Sequence, residues 1–168
     1  EQLQFENHAS ATSMELNFNH PVKELIWTGV AGANAAGVAQ TTSEILGPST
    51  PTSIDTGSTY QLKLNGHDRF SVRDYRYFSR QQVHDYHSGV GGLKLTTDAA
   101  DNEADDRIGV YSFALKPEEH QPSGTCNFSR IDNAQLVTTA SAAATHVYAV
   151  NYNVLRIMSG MGGLAYSN

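Results

Sequence analysis

Few side-chain combinations in these 168 residues carry chemistry. Cys126 with His120 would supply a thiol nucleophile and a base. That reaction also needs a group to orient the base and donors for an oxyanion, and no residue pattern offers either. A small apolar residue on a strand accounts for Cys126. His84 and His87 stand three apart, as metal ligands do on a helix, but no third ligand is identifiable. Asp98, Asp101, Asn102, Glu103, Asp105 and Asp106 are rich in hard oxygen donors for calcium. They lack the turn glycine and closing glutamate of an EF-hand, so a solvated loop is expected. Ser159-Gly160-Met161-Gly162-Gly163 has the glycines of a phosphate cradle without its order or a following helix. A tight turn between strands is expected instead. His67 and Asp68 form an acid/base pair on paper, but they follow Asn65-Gly66, a hairpin signal, and read as polar turn residues. Asn127-Phe128-Ser129 is an N-glycosylation sequon. No catalytic, cofactor-binding or metal-binding residue is therefore assigned, and Asn127 is the one candidate for modification.

The elements that position these residues repeat every second residue. Met14, Leu16 and Phe18 alternate with Glu15 and Asn17, and Tyr60, Leu62 and Leu64 alternate with Gln61 and Lys63. Tyr111, Phe113 and Leu115 follow the same rule. Alternation puts one face on a core and the other toward polar surroundings. Val22–Trp27, Phe128–Val137, a long run from Val147 to Ile157, and Leu164–Tyr166 are further strands. The total is about eight short strands, the pattern of an all-β antiparallel sandwich or jelly roll. One short helix is expected after a capping-box-like pair, Ser71 and Asp74, with Tyr75, Phe78 and Gln82 as its stripe. It should lie on the surface over one end of the sandwich. Two long loops, residues 31–57 and 88–107, separate the strands, and loops of that length often carry contacts.

Composition bounds the function. Hydrophobic residues make up 39% and charged residues 17%, enough to bury one core over residues 1–168 as a single domain. The net charge of -6 argues against direct nucleic-acid binding, which needs a surplus of Lys and Arg. No apolar run approaches the roughly 20 residues of a membrane span. The chain starts at Glu1 on strand-like sequence, which suggests that it is cut from a longer protein.

A resemblance adds to this. Ser112-Phe113-Ala114-Leu115-Lys116-Pro117-Glu118-Glu119-His120-Gln121-Pro122-Ser123-Gly124-Thr125-Cys126-Asn127-Phe128-Ser129-Arg130-Ile131-Asp132 is similar to a segment of the major capsid proteins of nucleocytoplasmic large DNA viruses. So are Phe18–Trp27, Leu64–Phe70 and the closing stretch Tyr148–Tyr166, in the family's order. The resemblance implies a structural protein and no enzyme. It also implies two jelly rolls in tandem in one polypeptide, of which this chain resembles the C-terminal one alone. Three polypeptides would form a pseudo-hexagonal trimer that tiles an icosahedral shell. The implied partners are copies of itself and minor capsid proteins, and the implied location is the virion, assembled in the infected host cell. No cofactor is implied. Arg130 with Asp132, and Arg156, are candidates for buried or interfacial pairing with carboxylates. The alternative is a carbohydrate-binding jelly roll, with Tyr75, Tyr77, Tyr86 and Trp27 as stacking aromatics.

Overall fold

A computed structural model describes residues 1–9, 11–30, 51–52, 58–89, 91, 108–139 and 144–166. The acidic cluster and most of both long loops lie outside the described residues. The strands in chain order are β1 (Gln2–Ala9), β2 (Ser13–Glu15), β3 (Pro21–Val30), β4 (Pro51–Thr52), β5 (Thr59–Leu64), β6 (His67–Asp68) and β7 (Arg73–Asp74). A π-helical turn, Tyr77–Gln81, runs into a short helix, α1 (Gln82–Tyr86). Then come β8 (Ile108–Ser112), β9 (Cys126–Asn127), β10 (Ala134–Thr138), β11 (Ala144–Asn151), β12 (Leu155–Met158) and β13 (Met161–Leu164).

All described pairings are antiparallel. One sheet runs β1-β11-β3, and the far edge of β3 is shared in succession by β9, β8 and β4. The second sheet runs β2-β10-β5, with β6 and β7 sharing the far edge of β5. Their inner faces meet in one core. Trp27 of the first sheet is fully buried against Tyr60 of the second, ring centroids 5.4 Å apart, and against Phe78 at 5.1 Å. Burying side chains of this size contributes roughly 1.5–3 kcal/mol each. The expected alternation holds where it sets the core: Met14, Leu16, Phe18, Tyr60 and Leu62 are buried while Glu15, Asn17 and Gln61 are not. Asn65 and Gly66 both take positive φ, 51° and 78°, as a type I′ hairpin turn requires. Ser159 and Gly160 do the same, at 51° and 79°, between β12 and β13.

Other expectations need correction. The run Val147–Ile157 is two strands, not one. The first ends at a register shift between Val150 and Asn151. Asn153 then accepts a hydrogen bond from the Val154 N–H and donates to the Gln2 side chain and the Tyr166 carbonyl. A side chain that binds nearby backbone in this way competes with the ladder and ends it. The buried face of β11 carries Val147, Ala149 and Asn151. The segment expected as a strand from Phe128 begins as a 3-10 turn, Phe128–Arg130, whose N-cap Asn127 accepts from the Ser129 N–H. Arg130 and Asp132 therefore share no strand face. In β8, Val110 and Tyr111 are both buried, because strand β3 flanks it on one edge and the helix packs over it. The helix carries its expected stripe inward, with Tyr75, Phe78 and Gln82 all buried. The capping pair does not form: Asp74 lies in β7 and accepts from the Arg76 N–H.

Candidate assembly surface

The candidate chemistry is dispersed. Cys126 is half-buried on β9, packed against the core, and burial pushes its thiol above its ordinary value. That opposes thiolate formation, while His120 sits exposed. His67 and Asp68 are both exposed on β6, where Asp68 lies 4.0 Å from Lys63. His84 is exposed beside Asp85. Among the described residues, no group of three or more His, Cys, Asp or Glu is placed to hold a metal. Trp27 and Tyr75 are buried and offer no face to a sugar. Arg73 covers the ring of Tyr77 at 4.9 Å, and Tyr86 is half-buried. Asn127 is exposed, and Arg130 and Arg156 are exposed rather than buried in ion pairs.

His87 is drawn into a built polar site. It ends α1, with its side chain 19% exposed. Its Nε2 lies 3.1 Å from Glu24 Oε2 on β3, an ion-pair contact off the ideal hydrogen-bond line. Its Nδ1 lies 3.4 Å from Glu118 Oε1. The Glu24 contact outweighs burial and raises the histidine's pKa, with Glu118 adding to it. Glu118 also accepts from the Ser88 N–H and hydroxyl, which, with His87, hold its carboxyl below the ordinary range. The cluster ties the helix end to the first sheet and to the Pro117–Pro122 connection. Gln82 makes a second tie: its Oε1 accepts from the Ser112 N–H at 3.1 Å, and its Nε2 donates to Tyr77 Oη at 2.8 Å. No sequence period signalled the contacts to Glu24, Glu118 or Ser112, because these partners come from elements far apart in the chain.

Two surfaces stand out because their apolar residues face solvent. Strand β1 is inverted. Gln4 and Glu6 point inward, where they accept from the Asn19 and Asn17 N–H groups and pin the segment between β2 and β3. Leu3 and Phe5 point outward, 57% and 61% exposed, with Phe5 against Tyr148. The second surface is the β12–β13 hairpin, which among the described residues pairs with neither sheet. Leu155, Ile157 and Leu164 share one of its faces, and Met158 and Met161 the other. All are at least 54% exposed. At the root of the hairpin, Tyr152, Asn153 and Tyr166 meet His20, Pro21 and Asn127 around a hollow of about 320 Å³. His20 sits there at φ 68°, a conformation uncommon for a residue with a Cβ.

Comparison with known proteins gives these surfaces a context. Residues 1–163 match the family described as large eukaryotic DNA virus major capsid protein. The chain is 50% identical over 183 residues to the major capsid protein of Pyramimonas orientalis virus, covering 100% of this chain and 42% of that protein. It is 38% identical over 227 residues to that of Paramecium bursaria Chlorella virus 1, covering 100% of this chain and 48% of that one. The crystal structure of PBCV-1 VP54, fitted into a reconstruction of the virophage Sputnik, superposes with a TM-score of 0.70 at 36% identity, over 99% of this chain and 50% of that one. The Faustovirus major capsid protein shares the fold alone, with a TM-score of 0.54 at 13% identity over 88% of this chain and 31% of its own. The chain thus spans less than half the length of the Pyramimonas orientalis virus and Paramecium bursaria Chlorella virus 1 capsid proteins. With its two antiparallel sheets on one aromatic core, and matched over nearly its whole length, this chain belongs to the major capsid protein family of large eukaryotic DNA viruses.

Proposed function

We propose that this chain is a jelly-roll half of a capsid subunit, and that its work is to bind other subunits in an icosahedral virion shell. The observation that carries this reading is the family match over residues 1–163, with 50% identity to one viral capsid protein over the whole chain. The physics of the chain agrees. Polar networks around His87 and Gln82 stiffen the sandwich, and large apolar side chains remain on its outside, where protein partners bind. The role is structural rather than enzymatic. The functional unit is a homotrimer of the complete polypeptide, joined in the shell by neighbouring trimers and minor capsid proteins, with no direct contact to nucleic acid and no membrane span. Light scattering on the complete polypeptide tests this. A compact trimer is expected, and a stable monomer at micromolar concentration would oppose it.

Asn127 is our proposed glycan attachment point. Attachment at Nδ2 leaves its Oδ1 free to keep capping Ser129. The mass of the peptide carrying Asn127, taken from virions, decides between a glycan and the bare amide.

A further inference from the structure

We propose that Asn65 is a site of spontaneous deamidation gated by the β5–β6 turn. The side chain reacts only when the turn opens, and the isoaspartate that forms keeps it open. The site owes nothing to the capsid reading. Asn65-Gly66 is the one Asn-Gly pair in the sequence. Glycine leaves its backbone nitrogen unhindered, so in an open chain the Gly66 nitrogen attacks Cγ of Asn65. A C–N bond forms, ammonia leaves with the proton of the Gly66 N–H, and a five-membered succinimide remains. Water then opens the ring at either carbonyl, giving aspartate or isoaspartate. The reacting groups are unengaged. Among the described residues, neither Asn65 Nδ2 nor the Gly66 N–H makes a hydrogen bond. Both residues are exposed, and a Cβ at Gly66 would meet nothing within 4 Å.

The closed turn keeps nucleophile and target apart. Asn65 and Gly66 take φ 51° and 78°, a type I′ turn, whose first central residue has ψ near about 30°. That rotation puts the Gly66 nitrogen on the far side of the Cα–C bond from the Asn65 Cβ. The five-membered ring needs both on the same side, so the 65–66 peptide must turn over before the reaction starts. Three bonds resist this. Asn65 Oδ1 accepts from the Asp132 N–H at 2.9 Å and the Asn133 N–H at 3.1 Å. The Asn65 N–H donates to the Asn133 carbonyl at 2.6 Å. Together they fasten the turn to the connection before β10, and each shifts the opening equilibrium by a factor of several. The two products then behave differently. Aspartate keeps an oxygen for the Asp132 and Asn133 N–H groups. Isoaspartate routes the backbone through the former side chain and adds a methylene to a two-residue turn. That turn sets the register of Lys63 with Asp68 and of Leu64 with His67, so the lengthened chain cannot re-form it.

The test incubates the complete polypeptide at mildly alkaline pH, folded and in urea. The peptide carrying residue 65 is followed by mass and by isoaspartate-specific methylation. Isoaspartate is expected in both samples, forming on the order of 10-fold to 100-fold more slowly in the folded chain. Equal rates overturn the gate, and no conversion in urea overturns the site. Hydrogen exchange of the Asp132 and Asn133 amides reads the opening independently. The ratio of folded to unfolded deamidation rates should match the open fraction that exchange reports, and a ratio well above or below it overturns the gate. The isoaspartate form, separated by chromatography, should exchange those two amides faster than the unaltered protein, whereas Asn65→Asp should retain their protection. Unchanged protection in the isoaspartate form overturns the claim that the product holds the turn open.

Discussion

Replacing His87 by Gln should destabilise the sandwich in a pH-dependent way. The imidazole bridges Glu24 at 3.1 Å and Glu118 at 3.4 Å, with its side chain 19% exposed. A hydrogen bond to a charged group is worth roughly 1.5–3 kcal/mol, and the Glu24 contact, off the ideal hydrogen-bond line, belongs in the lower part of that range. Glu118 is half in solvent and adds little, so the loss at pH 6 is set at about 2 kcal/mol, which lowers the midpoint of a domain this size by about 4–8 °C. The pKa of His87 is raised in the folded state. Its contribution is therefore complete below the ordinary histidine value of 6.5 and is lost as pH rises through the folded value. Glu118 is depressed and works in the opposite sense: its contribution is present above its ordinary value of 4.5 and is lost as pH falls through the folded one. The cluster is strongest between those two ordinary values. Thermal unfolding of the native and His87→Gln proteins at pH 6 and again above pH 9 reads this directly. The gap should be wide at pH 6 and shrink at high pH. An equal gap at both, or none at pH 6, would refute the charged-histidine account.

Three further outcomes follow from contacts in the interior. Gln82→Ala leaves the buried Ser112 N–H without its acceptor and should cost about 1–3 kcal/mol in urea unfolding; Gln82→Glu should recover part of this, because the acceptor returns. Gly109→Ala drives a Cβ to within 2.4 Å of the buried Trp27 ring, so a loss of about 3 kcal/mol, with a shifted near-UV signal from Trp27, is expected. Asn65→Ala removes the acceptor for the Asp132 and Asn133 N–H groups and puts a Cβ residue with no polar side chain at φ 51°. About 2 kcal/mol should be lost, measured by chemical denaturation, and Asn65→Gly should lose less because it relieves the backbone.

What was legible in the sequence follows the range of each force. Strand faces set by burial were readable from alternation at Met14–Phe18 and Tyr60–Leu62; the turn at Asn65-Gly66 was readable because Asn-Gly favours positive φ locally, and the turn at Ser159-Gly160 from its glycines. The inward stripe Tyr75, Phe78 and Gln82 was readable for the same reason. Features set by long-range partners were not. Asn153 breaks the expected long strand by binding Gln2, from the other end of the chain. Alternation at β8 fails because the helix covers a strand that looked half-exposed. Strand β1 reads as a strand, but its inversion depends on Gln4 and Glu6 finding the backbone at Asn19 and Asn17. His87 pairs in the sequence with His84, three residues away, yet its partners are Glu24 and Glu118. Exposed apolar residues on the hairpin cannot be told from core residues by pattern, since alternation marks a face and not what covers it.

The central claim is that this chain is part of the shell itself. Quantitative mass spectrometry of purified virus particles tests it most directly. The account predicts that peptides from residues 1–168 are among the most abundant in the particle, at the copy number of a shell subunit. Their absence, or a trace amount relative to another jelly-roll protein, would contradict it.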